Sequence, residues 1–185
     1  MADATRTWTS AADFEEICEE LGPSELVRSE VVRLSLGGLA HSRIVMRVAG
    51  RLWEWERRTD RGRVFTGETG LIVASDPDTV RGADVVFYSH DRLPKTAKVE
   101  GFSRTPPSLV VEVIGKVQGW GEMMEKAGEY LSMGVERVWV IDPETRRVHI
   151  FRSDAEPSAL SADETLTDEH ILPGFSCPVR GFFAD

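Results

Sequence analysis

One acidic residue, Glu112, lies within an apolar stretch, residues 109–114, that has the composition of a buried β-strand. A carboxylate that is buried and ionised without a partner costs many kcal/mol, so it takes up a proton, pairs with a cation or binds a metal ion. This stretch alone leaves two interpretations open. Glu112 is either an inward-facing residue paired with an arginine or lysine, or a residue that serves metal binding or catalysis.

A second acidic residue, Asp84, lies in another predicted strand, residues 82–88, on the same face as Val86 and Tyr88. If the two strands are neighbours, the Asp84 and Glu112 carboxylates can share one divalent cation. Oxygen ligands with open water positions suit Mg²⁺ or Mn²⁺ rather than zinc. Such an ion lowers the pKa of a bound water and neutralises the phosphate in an in-line displacement, and a nearby lysine would add a further cation.

Hydrophobic periodicity and turn residues predict the elements that must position these acids. We expect an α/β (α+β) fold in which a central mixed β-sheet is flanked by helices. Residues 1–22 are expected to form an N-terminal helical segment, and residues 23–185 a single domain. The predicted elements are helices at 9–23, 41–58 and 122–133, a hairpin at 25–34 that turns at Arg28 and Ser29, strands at 63–74, 82–88, 109–114, 135–141 and 148–152, and an irregular tail around 172–175.

The composition limits the class of protein. The 185 residues are 41% hydrophobic and contain no apolar run near the roughly 20 residues that a membrane-spanning helix needs. The N-terminus lacks the basic start and apolar core of a secretory signal. Cys18 and Cys177 are far apart and outside any zinc-ligand spacing, so we expect two ordinary thiols, a cytoplasmic location and no membrane partner.

The net charge of −9 does not indicate a nucleic-acid-binding protein, but the charge is unevenly distributed. Residues 41–63 carry seven arginines and three acids, a net charge of +4, between two acidic ends. One face of the predicted helix is either a phosphate-facing patch or a solvated surface, and it carries Arg43, Arg47, Arg51 and Arg58. His41 projects toward the apolar side of this helix, where a core or capping role competes with a role as ligand.

Several blocks of the chain follow one another in a specific order and spacing: 82–87 (GADVVF), 107–114 (PSLVVEVI), 125–130 (EKAGEY), 134–143 (GVERVWVIDP) and 172–175 (LPGF). Glu25, Glu30 and His41 precede them. Over roughly residues 20–182 the chain thereby resembles the Uma-two-type putative restriction endonucleases, a family of the PD-(D/E)XK nuclease superfamily. The resemblance implies a restriction-endonuclease-like core with an N-terminal hairpin, and hydrolysis of DNA phosphodiester bonds with a divalent metal.

The resemblance also implies roles for individual residues. Asp84 matches the first metal-binding acid, and Glu112 matches the acid of the second motif. Ile114 stands where the superfamily has its usual lysine, and Lys126 on the next helix matches the lysine of this family. The additional candidates are Glu30, His41 and Glu122 for the site, and Arg43, Arg47 and Arg51 for contacts with the DNA backbone.

Two alternatives to this role of Lys126 remain open in the sequence. Lys116 shares the strand parity of Glu112, but an extended chain would place it about 13 Å away. Lys126 could also form no more than a surface ion pair with Glu122 at i,i+4, worth a few tenths of a kcal/mol.

One segment departs from the family's pattern. Residues 115–121 (GKVQGWG) stand where the family has Ser-Pro-Ser-Thr and basic residues. Our leading hypothesis is an endonuclease that uses Mg²⁺ or Mn²⁺, acts on DNA and, by analogy, works as a homodimer. The alternatives are a catalytically inactive module that binds nucleic acid or a protein partner, and a structural homodimer in which Glu112 is paired with Lys126.

Overall fold

The computed structural model of the chain describes residues 9–116 and 118–183. In that part of the chain, four helices and ten strands follow one another. They are α1 (Ala11–Leu21), β1 (Ser24–Val27), β2 (Glu30–Arg33), α2 (Leu39–Thr59), β3 (Gly62–Ala74), β4 (Thr79–Ser89), β5 (Leu109–Val113), α3 (Trp120–Met133), β6 (Arg137–Asp142), β7 (Arg147–Arg152), β8 (Ala155–Leu160), β9 (Thr165–Asp168), β10 (Leu172–Pro178) and α4 (Arg180–Phe183).

One mixed sheet of eight strands forms the centre of the molecule, in the order β2-β1-β4-β5-β6-β7-β8, with β3 also paired to β4. Strands β5 and β6 run parallel and are joined through α3, whereas the other pairs are antiparallel. Helix α2 packs on one face of the sheet and α3 on the other. The prediction of a central mixed sheet flanked by helices is therefore confirmed.

Strand β4 has an unusual edge. Its partner β3 follows it from end to end, so β1 and β5 must share the opposite edge. Strand β1 pairs near the start of β4, at Val80, and β5 pairs near its end, at residues 85–87. Residues 81–84 of β4 lie between these two pairings and face an opening in the sheet. The Asp84 and Glu112 side chains lie at this opening.

The apolar residues divide between the two faces as strand alternation requires. On the α2 face, the core also takes in β9, β10 and α4; on the α3 face, it includes the Met123 and Tyr130 side chains of the helix. Helix α1 covers the start of β1 and β4 through Phe14, which packs with Leu26 and Val80. Its first turn is fixed by a capping box between Ser10 and Asp13.

Local predictions mostly hold. The hairpin turns at Arg28 and Ser29, both with positive φ (50° and 63°), as a tight two-residue turn between antiparallel strands requires. Helix α3 ends at Gly134, which adopts φ 105°. Among the described residues, no helix is long and apolar enough to cross a membrane. The boundary at residue 22 stays a prediction, and residues 1–8 of the proposed N-terminal segment lie outside the described residues.

Two segments near the C-terminus differ from expectation. The prediction of an irregular tail is wrong, because residues 172–178 form β10, which pairs with β9 in a separate two-stranded sheet. The strand was not predicted because Pro173 and Gly174 are unusual inside strands. The pairing with β9 accommodates them through a shift of register between Leu172 and Ser176. Strand β8 was not predicted, because Pro157 is typical of strands only at the edge of a sheet.

Candidate active site

Asp84 and Glu112 come together where β4 and β5 separate. The pairing of these strands sets Val85 opposite Val111, so Asp84 and Glu112 take the next facing position along the two strands. Glu112 is directed toward α3, where it contacts Lys126 and Tyr130, whereas the contacts of Asp84 are with Val113 and with His41 of α2. The Oδ2 atom of Asp84 accepts a hydrogen bond from the Val113 backbone N–H at 2.7 Å, which fixes the carboxylate at the end of the ladder.

Glu112 is buried beside two polar groups of α3. Its Oε1 atom accepts a hydrogen bond from the Tyr130 hydroxyl at 2.6 Å and lies 3.7 Å from Lys126 Nζ. Burial raises the pKa of Glu112 to about 8, although Lys126 opposes the rise. Without a bound metal ion, Glu112 is therefore mostly protonated at pH values below about 8.

Lys126 lies inside the protein, with only 2% of its surface exposed. Its Nζ donates to Glu25 Oε1 at 2.7 Å, a closer contact than the one with Glu112. Burial lowers the pKa of Lys126, but the Glu112 and Glu25 carboxylates outweigh this effect and raise it above its ordinary value. The alternative of a surface ion pair between Lys126 and Glu122 is wrong, since Lys126 is buried. Lys116, the other lysine considered in the sequence, is exposed.

Glu25 joins the lysine to a second cation. Its Oε1 atom also accepts the Gly82 backbone N–H at 3.1 Å, and its Oε2 atom accepts from Arg81 at 2.8 Å. Arg81 in turn donates to both carboxylate oxygens of Glu129, at 2.6 and 3.1 Å. A continuous chain of charged groups thus runs from Glu129 through Arg81, Glu25 and Lys126 to Glu112.

His41 supports Asp84 from the other face of the sheet. Its Nε2 atom lies 3.1 Å from the Val113 carbonyl oxygen and 3.4 Å from Asp84 Oδ2. The hydrogen bond with Asp84 raises the pKa of His41, against the opposing effect of partial burial. His41 therefore contacts one of the two acids. Because α2 has no side-chain cap among the described residues, the capping role is wrong, and the choice between a core role and a role as ligand stays a prediction.

An open cleft of about 600 Å³ leads from the protein surface to Asp84. His41 and Glu68 form its polar end, and Val45 and Trp53 belong to an apolar wall that runs along α2. A bulge in β3, at Gly67 and Glu68, turns the Glu68 side chain toward this end. The cleft gives a ligand access to Asp84.

The two acids suit a hard divalent cation. The described hydrogen bonds use only Oδ2 of Asp84 and Oε1 of Glu112, so each carboxylate keeps a second oxygen for a ligand bond. Within residues 9–116 and 118–183, no three His, Cys, Asp or Glu side chains are already clustered as a metal cage. Mg²⁺ commonly binds through one or two carboxylates and retains several waters, so this donor set fits it.

Other predicted residues lie outside this group. Glu30 begins β2 opposite Val27, and Glu122 is exposed in the first turn of α3. Arg43 is exposed on α2. Arg47 approaches the Phe182 carbonyl oxygen at 3.4 Å, and Arg51 approaches Glu54 at 3.4 Å.

The described part of the unusual segment, residues 115–116 and 118–121, makes hydrogen bonds and a ring contact. The Gly115 N–H donates to Gln118 at 3.0 Å, and the Trp120 ring packs edge-on against His149 with centroids 4.6 Å apart. Val117 lies outside the described residues.

Three residues of this charged chain, Glu25, Arg81 and Glu129, were missed in the sequence, as was the Tyr130 hydroxyl that contacts Glu112. The predicted strand began at Gly82, so Arg81 was assigned to no element, and Glu25 was assigned to a hairpin with no site role. No signal within one strand pointed to Arg81, which follows Val80, or to Glu25, which precedes Leu26, because a charge next to an apolar residue is the usual alternation of a half-exposed strand.

The comparisons with known proteins concern the family and the fold of the chain. A family model described as Uma2, putative restriction endonuclease, matches residues 11–180. The chain belongs to the Uma2 family. No curated protein matches the sequence.

A solved structure shares the fold of this Uma2 protein. It is the crystal structure, at 1.96 Å resolution, of a putative nuclease belonging to DUF820 from Anabaena variabilis ATCC 29413. The TM-score is 0.79 at 15% sequence identity, and the match covers 94% of this chain and 97% of that chain. The restriction-endonuclease-like fold predicted for the chain is thereby confirmed.

Proposed function

We propose that this Uma2 protein is an endonuclease that hydrolyses DNA phosphodiester bonds with Mg²⁺ or Mn²⁺. The observation that carries the proposal is the arrangement of Asp84 and Glu112 at facing positions of β4 and β5, with Lys126 Nζ 3.7 Å from Glu112. Two carboxylates and an ammonium group are the charges that a metal-assisted displacement at phosphorus requires.

Each residue has a distinct part in the proposed reaction. Asp84 and Glu112 would hold Mg²⁺, which when bound activates water and neutralises charge on the phosphate. Lys126 supplies a positive charge close to the same carboxylate, where it stabilises the negative charge that develops on the phosphate. The Tyr130 hydroxyl fixes the orientation of Glu112, and His41 fixes that of Asp84.

The cleft suggests how the substrate approaches. Its wall includes Trp53, whose side chain is 51% exposed and lies beneath the Arg57 guanidinium at 5.1 Å from the ring centroid. On the other side of Trp53, a second opening of about 590 Å³ is lined by Arg51, Arg57 and Arg58. A strand whose bases contact Trp53 and whose phosphates contact these arginines would lead to Asp84.

Cleavage of supercoiled plasmid and of single-stranded circular DNA tests the proposal. We expect cleavage with Mg²⁺ or Mn²⁺ and none with EDTA. Asp84→Asn, Glu112→Gln and Lys126→Met should each reduce the rate by at least about 100-fold, the usual cost of removing a group that stabilises transition-state charge. Unchanged cleavage by Glu112→Gln would contradict the assignment.

A matched control is available at the other end of the sheet. Glu136 is paired with Arg92 at 2.9 Å and precedes β6, whose first residue pairs with Leu109 rather than with Glu112. Glu136→Gln removes a half-buried, paired carboxylate without touching the candidate site. This variant should cleave at the wild-type rate.

The second candidate is a nuclease-fold module that binds nucleic acid without cutting it. The segment at residues 115–121 favours it, because glycines replace the hydroxyl and basic residues that the family has there. This function predicts DNA binding in the presence of EDTA, no heat of Mn²⁺ binding in calorimetry and no cleavage under any metal condition.

A further inference from the structure

Glu25 is the most completely buried acid of the charged cluster, and the proposed reaction gives it no role. It is 1% exposed, it lies in the β1–β2 hairpin rather than in the strands that carry Asp84 and Glu112, and it makes the shortest contact of Lys126. Burying a carboxylate together with two cations costs desolvation free energy. A cost of this kind points to a function of the arrangement.

The geometry sets Glu25 and Glu112 in competition for one ammonium group. Lys126 Nζ is 2.7 Å from Glu25 Oε1 and 3.7 Å from Glu112 Oε1, so the hydrogen bond goes to Glu25. Without Glu25, the only carboxylate in contact with Lys126 among the described residues would be Glu112. A lysine hydrogen-bonded to Glu112 would neutralise the carboxylate charge that attracts a metal ion.

Glu25 is itself held in place from the backbone. The Gly82 N–H binds the same Oε1 atom that accepts from Lys126, and Arg81 binds Oε2. Glu68 lies close to Gly82, because a Cβ atom at this position would be 2.8 Å from Glu68 Oε2. The hairpin acid is therefore fixed to the opening in β4 from which Asp84 projects.

We propose that Glu25 is a positioning residue that holds Lys126 away from Glu112 and so keeps Glu112 available for the metal ion. The inference rests on the proposed function, since it assumes that Glu112 binds metal. Glu25 itself does not contact the metal in this arrangement. Glu25 affects metal binding only through the position of Lys126, whereas a third metal ligand would bind the ion directly.

A double-mutant cycle measured by Mn²⁺ titration calorimetry tests this role. Glu25→Gln should weaken Mn²⁺ binding by about 10- to 100-fold, the range found when an outer-shell partner of a metal ligand is removed. Lys126→Met should bind Mn²⁺ at least as tightly as the wild type while losing cleavage. The double variant Glu25→Gln/Lys126→Met should recover the affinity of Lys126→Met, because the competing ammonium is gone.

The outcomes are distinct. If the double variant binds Mn²⁺ as weakly as Glu25→Gln, Glu25 acts directly on the metal and the positioning role is overturned. If Glu25→Gln binds like the wild type, Glu25 is merely structural and the role is again overturned. If the wild type neither binds Mn²⁺ nor cuts DNA, the proposed function fails first, and this inference fails with it.

The stability of the variants needs its own control. Glu25→Gln removes the negative charge that the buried Arg81 and Lys126 cations share, so it can destabilise the fold. Glu25→Asp keeps the charge but shortens the side chain, so it should weaken Mn²⁺ binding less than Glu25→Gln. Glu136→Gln, which breaks a different ion pair, should lower the melting temperature without changing Mn²⁺ affinity. An Mn²⁺ affinity that follows melting temperature across these variants would overturn the proposal.

Discussion

The protonation of Glu112 affects the stability of the protein and, under the proposed function, the binding of a metal ion. Burial holds its pKa near 8, whereas its ordinary value is 4.5. Because the folded value is higher, the folded protein binds this proton more tightly than the unfolded chain does. The stabilisation is complete below about pH 4.5 and is lost as the pH rises through about 8.

The first prediction concerns stability without metal. From about pH 5 to pH 9 in EDTA, the unfolding free energy of the wild type should fall relative to that of Glu112→Gln, because glutamine carries no ionisable proton. Each unit of pKa separation is worth about 1.4 kcal/mol, so the difference should reach a few kcal/mol. Urea unfolding at a series of pH values measures it. Glu122→Gln, at an exposed position of α3, should follow the wild type; parallel curves for Glu112→Gln and wild type would refute the prediction.

The second prediction concerns the proton that a metal ion must displace. At pH 7, Mn²⁺ binding should release close to one proton per ion, whereas at about pH 9.5 it should release almost none, because Glu112 is then already ionised. Calorimetric titrations in two buffers of different ionisation enthalpy count the protons. Equal proton release at both pH values would show that Glu112 is not the group displaced.

Individual site residues were easier to predict from the sequence than the residues that they contact. Glu112 and Asp84 were predicted because each is an acid within an apolar strand, and Lys126 followed from a family resemblance. Glu25 and Arg81 were missed because their significance depends on β1 pairing with the start of β4. That pairing joins residues far apart in the chain, and periodicity within one strand does not specify it.

Among the elements, α2 connects the candidate site with the surface. Its buried stripe of Ile44, Val48, Leu52 and Trp55 was predictable from the helical period. The opposite side of the helix was harder to interpret. The sequence singled out Arg43, Arg47 and Arg51 and put Arg58 on the same face. The structure adds Arg57 and sets both Arg57 and Arg58 beside Trp53. These positions became significant only when the cleft beside α2 was visible.

The third prediction tests α2 as the surface that contacts nucleic acid. Trp53→Ala should weaken binding of single-stranded DNA by about 1–3 kcal/mol, the typical worth of one stacked base, and leave Mn²⁺ affinity unchanged. Fluorescence anisotropy with a labelled oligonucleotide measures it. Trp120 is similarly exposed, at 44%, but packs against His149, so Trp120→Ala is the matched control. Equal losses in both variants would exclude a specific role for the cleft.

The fourth prediction uses the arginines of the same helix. Arg57→Gln and Arg58→Gln should each lower the slope of the logarithm of the affinity against the logarithm of salt concentration by about 1, if each arginine neutralises one phosphate. Arg47→Gln should change the slope less, because Arg47 is directed toward the Phe182 carbonyl oxygen. A larger change for Arg47 would place the strand on the other side of α2.

At the scale of the whole molecule, the described residues of one chain hold a single group of Asp84, Glu112 and Lys126, whereas duplex DNA has two antiparallel strands. One chain should therefore nick, and a break in both strands should need two chains related by a two-fold axis. At concentrations where sedimentation shows a monomer, supercoiled plasmid should become open-circular DNA before any linear DNA forms. Adding excess Glu112→Gln protein should then suppress linear DNA more than nicking, because mixed dimers carry one active site. Linear DNA as the first product of the monomer would refute this requirement for two chains.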